Sequence, residues 1–95
     1  MMTIEKIGDN ELRLTGRFDA SQEEYAKEEL QKYSDSLILD MEELNYISSM
    51  GLSVLVNTYK RLKENEKSVR LKNMNSHVRD VFKYTRLDQL FEIEE

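Results

Sequence analysis

Apolar positions along the chain first alternate and later fall into helical spacing, and the changes of period divide the sequence into elements. Leu12 and Leu14 alternate with Arg13 and Thr15, as in a half-buried strand. Segments 3–7 and 11–16 flank Gly8-Asp9-Asn10, residues that supply the left-handed conformations of a tight turn, so the chain is predicted to open with a hairpin. Ser21-Gln22-Glu23-Glu24 then reads as a capping box, with Ser21 as the cap and Glu24 reaching back to it. Ala26, Leu30 and Tyr33 follow at i, i+4 and i+7, a helical stripe ended by Ser34-Asp35. Leu37-Ile38-Leu39, closed by Asp40, is a continuous apolar run of the kind found in a central strand covered on both faces.

Met41 to Tyr46 reads as a loop. Beyond it Leu52, Leu55, Val56, Tyr59 and Leu62 fall at helical spacing and predict the longest helix. It opens at Ser48-Ser49-Met50-Gly51 and ends among Lys60, Arg61 and Lys63, where cations suit the helix dipole. Val69 and Leu71 alternate with Arg70 and Lys72 in a further strand. Asn75 or Ser76 caps a helix carrying Val78, Val81, Phe82 and Thr85, and Leu87, Leu90, Phe91 and Ile93 finish with a turn and a short strand. The order β-β-α-β-α-β-α-β predicts an α/β domain with a small mixed sheet covered by helices. The strands on either side of the longest helix should run parallel through a right-handed crossover.

Composition narrows the function. Ninety-five residues, 39% apolar and 35% charged, fit one domain over residues 1–95, too small to hide a large cofactor beside a full core. A surface-driven function is therefore expected, with no cofactor and no metal. The absence of Cys excludes a disulfide framework and a thiolate nucleophile, and a single His disfavours an all-protein zinc site. No apolar run is long enough for a signal peptide or a membrane span, so no membrane insertion and a cytoplasmic setting are expected. The net charge of −5 opposes direct nucleic-acid binding. Acidic residues dominate from Asp19 to Glu43 and basic ones from Lys60 to Arg86, which reads as solvated faces of separate elements ahead of electrostatic steering.

The informative segment is LILDMEELNYISSMGLSVLV, Leu37 to Val56. A helix start leaves up to four backbone N–H groups without internal partners, and with the dipole these tolerate negative charge. A serine there ordinarily caps the helix, and if phosphorylated it would carry a charge of about −1.5 to −2 without unfolding the domain. A partner packing over Met50 and Gly51, with Gly51 admitting its backbone closely, would then have to desolvate a dianion at Ser49. Catalysis is not expected. SSMGL is not a Gly-x-Ser-x-Gly elbow, which leaves Ser49 and His77 an unsupported pairing. Asp40, Glu42 and Glu43 lack the spacing of a calcium loop, and no Gly-rich phosphate loop with a following Lys is present.

The residues LILDMEELNYISSMGLSVL, YTRLDQLFEI and Gly16-Arg17-Phe18-Asp19 resemble, in order and at these separations, the STAS domain of bacterial anti-sigma factor antagonists. In that family a strand ends in Asp, a short loop follows, and an Asp-Ser-x-Gly-Leu turn enters a helix. The resemblance covers nearly the whole chain. It implies a partner switch: the unmodified protein binds an anti-sigma factor that is also a serine kinase of the GHKL ATPase type, and so frees the sigma factor. Phosphorylation of the turn serine breaks that complex, and a metal-dependent serine phosphatase restores it.

Carried over by motif position, the resemblance makes Ser49 the phosphorylation site, with Ser48 as second choice. It places Asp19, Ser48, Ser49, Met50 and Gly51 in or beside the partner-facing surface; Phe18, Asn45 and Tyr46 join them because both loops are expected at one end of the sheet. Three departures accompany it. Ser48 stands where the family usually has Asp, Ser53 stands where Gly is common, and the sequence stops at Glu95, where many members continue into another helix. The C-terminal helix is thus expected to be short or missing, leaving apolar surface that a homodimer would cover. The alternative implied is a non-phosphorylated STAS scaffold or subunit of a larger signalling or membrane-transport assembly.

Overall fold

In a computed structural model, which describes residues 1–94, two strands open the chain: β1 (Met2–Gly8) and β2 (Glu11–Phe18), paired antiparallel. The turn between them uses Asn10 at φ 57°, a conformation that Asn tolerates better than most residues. Helix α1 (Glu23–Leu30), β3 (Leu37–Asp40), β4 (Leu44–Ile47), α2 (Ser49–Lys63), β5 (Val69–Lys72), α3 (Ser76–Tyr84) and β6 (Glu92–Glu94) follow. The predicted further-helix deficit at the C-terminus lies outside the described residues, which end with β6.

The sheet runs β1-β2-β3-β5-β6, with β3 central as expected and β3, β5 and β6 mutually parallel. β4 corrects the sequence reading, in which Met41 to Tyr46 was a loop. The eight-residue β2 is shared along its length: Glu11–Arg13 pair with β3, and Gly16–Phe18 pair with β4. Between the two partners the chain steps through Met41–Glu43, tied by Leu44 N–H to Met41 O and by Gly16 N–H to Glu43 O. Gly16 sits at φ +101°, and a Cβ there would lie 2.1 Å from Met1 O, so this crossing requires glycine.

Helix starts also differ from expectation. Asp19, not Ser21, caps the 3-10 turn Ala20–Gln22 that leads into α1; its carboxylate accepts from Ser21 N–H, and Ser21 Oγ donates to it as well. A carboxylate two residues earlier outcompetes the serine, because a charged acceptor makes the stronger bond to a helix-start amide. α1 ends at Leu30, before Tyr33, where the Arg61 guanidinium of α2 donates to the carbonyls of Leu30 and Tyr33 at 2.9 Å each. Of the two caps proposed for α3, Asn75 fills the position: its Oδ1 accepts from Val78 N–H, and its Nδ2 donates to Leu44 O of β4.

Helices cover one face of the sheet. Leu12, Leu14, Leu37, Leu39, Val69 and Leu71 are buried beneath them, joined by Ala26, Leu30, Leu55, Val78 and Phe82. The reading of β3 as covered on both faces is therefore corrected: Ile38 is only half-buried and looks out among charges. Register aligns Glu5, Arg13, Asp40, Lys72 and Glu94 in one row across five strands, alternating in sign. Arg13–Asp40, Lys72–Glu11 and Arg70–Glu94 ion pairs lie on this face at 3.5, 2.6 and 3.7 Å. Acid from β2 and β6 thus meets base from β5, and a Lys67–Asp35 pair joins the basic stretch of the sequence to the acidic one. Pairs as exposed as these are individually weak.

Candidate functional site

The C-terminal ends of β2 and β4 and the start of α2 converge at one end of the sheet. Ser48 is the hinge of this junction. Its backbone is extended (φ −90°, ψ 172°), its N–H donates to Phe18 O at 3.0 Å, and its Oγ donates to the same carbonyl at 3.2 Å. The same Oγ accepts from Gly51 N–H at 3.2 Å, which makes Ser48 the N-cap of α2. Serine and aspartate are both strong N-cap formers. The presence of Ser48 where the resemblance leads one to expect Asp therefore preserves the cap. Ser48→Ala is expected to lower stability by about 1 kcal/mol in urea titrations, with Ser48→Asp retaining most of it.

Ser49 is the first residue of α2, is exposed, and its hydroxyl has no hydrogen bond among the described residues. Met50 beside it is 37% exposed. Asn45 is exposed, and Tyr46 is half-buried under the Arg17 guanidinium, 4.3 Å from ring centroid to Cζ. Asp19 is half-buried at the end of β2; the Ser21 hydroxyl holds its carboxyl below the usual range, with Arg17 acting in the same direction.

Two residues assigned to a partner surface are interior. Phe18 is fully buried, with its ring under α2. Gly51 is buried too: a Cβ on it would meet Phe18 Cγ, Ile47 Cγ1 and Phe18 O, all at 2.9 Å. The backbone that glycine admits is that of β2 in its own chain, so Phe18 and Gly51 fasten the helix to the sheet. His77 is exposed in the first turn of α3 and makes no hydrogen bond to Ser49. Ser53 is exposed one turn beyond Ser49.

Sequence reasoning missed Arg17. Alternation with buried Phe18 marks it as outward-facing, but only the Arg17↔Tyr46 register sets its guanidinium on a ring. Asp40, a member of the acidic cluster in the sequence, ends β3 on the open face and is nevertheless buried, while Glu42 and Glu43 are exposed. It accepts from Glu42 N–H at 3.0 Å and Asn73 Nδ2 at 3.4 Å, and faces Arg13. It thereby clamps the step before β4 to the loop after β5.

Burial pushes the Asp40 carboxyl up, but the Glu42 amide, Asn73 and Arg13 together outweigh it and leave the carboxyl below its ordinary value. A carboxylate depressed in the folded state stabilises the fold above the unfolded pKa of about 3.9 and loses that contribution as pH falls through the folded value. The acid limb of the stability profile should therefore be shallower in Asp40→Asn than in the parent, as read by urea midpoints from pH 6 down to pH 2.

A family model for the STAS domain matches residues 2–95. This chain is a STAS domain. Its fold is shared with solved structures at low identity. A putative anti-sigma factor antagonist from Thermotoga maritima has a TM-score of 0.83 and 23% identity, over 99% of this chain and 86% of that one. The anti-sigma factor antagonist SpoIIAA in its unphosphorylated form has a TM-score of 0.72 and 16% identity, over 100% and 88%. The Bacillus cell fate determinant SpoIIAA in its phosphorylated form has a TM-score of 0.71 and 17% identity, over 100% and 92%. The STAS domain here has, among its described residues, no helix long and apolar enough to cross a membrane.

Proposed function

We propose that this STAS domain is an anti-sigma factor antagonist whose binding is switched off by phosphorylation of Ser49. The observation that carries the reading is the Ser49 hydroxyl itself, exposed in the first turn of α2 and without a hydrogen bond among the described residues. Ser48 is the poorer acceptor, because its Oγ already serves Phe18 O and Gly51 N–H, and a phosphate there would cost the cap. The partner is an anti-sigma factor serine kinase of the GHKL type, acting in the cytoplasm, and a metal-dependent serine phosphatase reverses the modification. The kinase transfers the γ-phosphoryl group of ATP to Ser49 Oγ, with ADP leaving and the hydroxyl proton passing to a base on the kinase.

The surface offered to the partner comprises Asp19, Asn45, Tyr46, Ser49 and Met50, with Ser48 at its edge. A phosphate on Ser49 places a dianion beside Met50, and a partner covering both must desolvate it, at a cost of several kcal/mol unless it brings counter-charge. That the unphosphorylated and phosphorylated forms of SpoIIAA align with this chain almost equally, at TM-scores of 0.72 and 0.71, supports a switch that leaves the fold alone.

Incubation with an anti-sigma serine kinase from the same genome and Mg-ATP is expected to add one phosphate, located at Ser49 by mass spectrometry and absent in Ser49→Ala. Ser49→Asp should weaken binding of that kinase at least about tenfold, which is about 1.4 kcal/mol, with an unchanged circular dichroism spectrum. Modification confined to Ser48, or binding indifferent to both ATP and Ser49→Asp, would favour a constitutive scaffold and overturn the switch.

A further inference from the structure

Arg17 is the one arginine of β2's outer end, and its environment is unusual for an exposed cation. No carboxylate among the described residues lies within ion-pair distance of it, although the chain carries nineteen acidic residues. Its guanidinium is instead parked 4.3 Å over the Tyr46 ring, a weak attraction at an exposed site. That is enough to orient the group and too little to hold it against a stronger anion.

Its position is fixed by the sheet. Arg17 pairs with Tyr46, and the next pair is Phe18 with Ile47. Ser48 is held to Phe18 O through both its amide and its hydroxyl, so the residue before Ser49 is bonded to the residue after Arg17. A long side chain on Arg17 and a phosphate on Ser49 therefore start from adjoining positions on the same end of the fold. Guanidinium and phosphate oxygens match in a bidentate geometry, and such charge-assisted bonds exceed a cation–π contact in strength.

Building on the Ser49 switch, we propose that Arg17 is the internal receptor of that phosphate: it rests on Tyr46 in the unmodified protein and turns to the phosphoserine when Ser49 is modified. Phosphorylation then does two things at one surface. It adds the dianion, and it withdraws from Tyr46 the cation that an unmodified partner would meet.

The test needs neither kinase nor partner. Phosphoserine is installed at position 49 during translation, and the second ionisation of the phosphate is followed by 31P NMR. Free phosphoserine titrates near pH 6, and a nearby guanidinium lowers that midpoint. Asp19 opposes this, while the helix-start amides and the Met1 amino group act with it; all are common to the variants compared. Arg17→Gln is expected to raise the midpoint by about half a unit to one unit relative to the parent, and Arg17→Lys to recover part of the difference.

Arg17 is exposed, so neither change removes core packing, and matching circular dichroism spectra confirm that the fold is kept. An Arg17→Gln midpoint equal to the parent's overturns the proposal, including the case in which the same variant loses kinase binding and Arg17 proves to be a partner contact. Because the phosphate is installed genetically, failure of the kinase to modify Ser49 would strike the switch itself and leave this measurement readable.

Discussion

Phe18→Ala is expected to cost the domain about 3–5 kcal/mol, a large share of the roughly 5–15 kcal/mol that holds a folded domain together. The side chain is fully buried where β2, β4 and α2 meet. Around it Ile47 and Gly51 are already in close approach, and Ser48 is tied to the Phe18 carbonyl. These neighbours are pinned by backbone hydrogen bonds and cannot collapse into the space, so the cavity term adds to the lost transfer energy. In urea the midpoint should fall with little change in slope. The folded fraction should still bind the partner kinase proposed above normally, because the ring contributes no surface. A parent-like midpoint combined with lost binding would restore Phe18 to the interface.

Gly51→Val is the second large effect, expected at about 3 kcal/mol of destabilisation, with Gly51→Ala at about 1–2 kcal/mol. Helix propensity predicts the opposite sign, since Ala is favoured over Gly in a helix by about 0.5–1 kcal/mol. Packing wins because one of the three atoms at 2.9 Å from the new Cβ is the Phe18 carbonyl oxygen, which also accepts two bonds from Ser48. Relief requires lifting α2 away from β2, and that breaks the cap. Gly8→Ala is the matched control: its Cβ would meet Glu11 at no closer than 3.6 Å, an ordinary contact, and should change stability little. Thermal melts of the three variants order the outcomes. A Gly51→Ala protein more stable than the parent would show that the helix start can shift without cost.

The legible parts of the fold share a property: their signals repeat within a short window. The opening hairpin was readable from alternation around Asn10, α2 from five apolar residues at helical spacing, and β3 from three consecutive apolar residues. β4 was not, because it has only four residues and buries Leu44 and Ile47 three apart, a spacing that breaks strand alternation and fits a helix as well. What makes it a strand is pairing with β2, from Gly16 to Leu44 onward, a contact 28 residues away along the chain.

The site divides the same way. Ser49 was readable as a helix-start hydroxyl, but the division of labour between Ser48 and Ser49 depends on the Phe18 carbonyl, thirty residues upstream. Phe18 itself carried a usable signal, for it continues the parity of Leu12 and Leu14 on the buried face of β2. Gly51 carried none, since a glycine facing a partner and a glycine facing its own sheet look alike in sequence.

By itself, then, the amino-acid order determined the alternation of strands and helices, the acidic and cysteine-free character, and the placing of a serine pair where the long helix begins. These are set by local sterics, side-chain period and charge, which act between near neighbours. Tertiary structure alone decided that β2 is divided between two partners, that Phe18 and Gly51 lock the junction from within, and that Arg17 lies over the Tyr46 ring. Each of those depends on strand register, and register is fixed only when distant segments bury their apolar faces together.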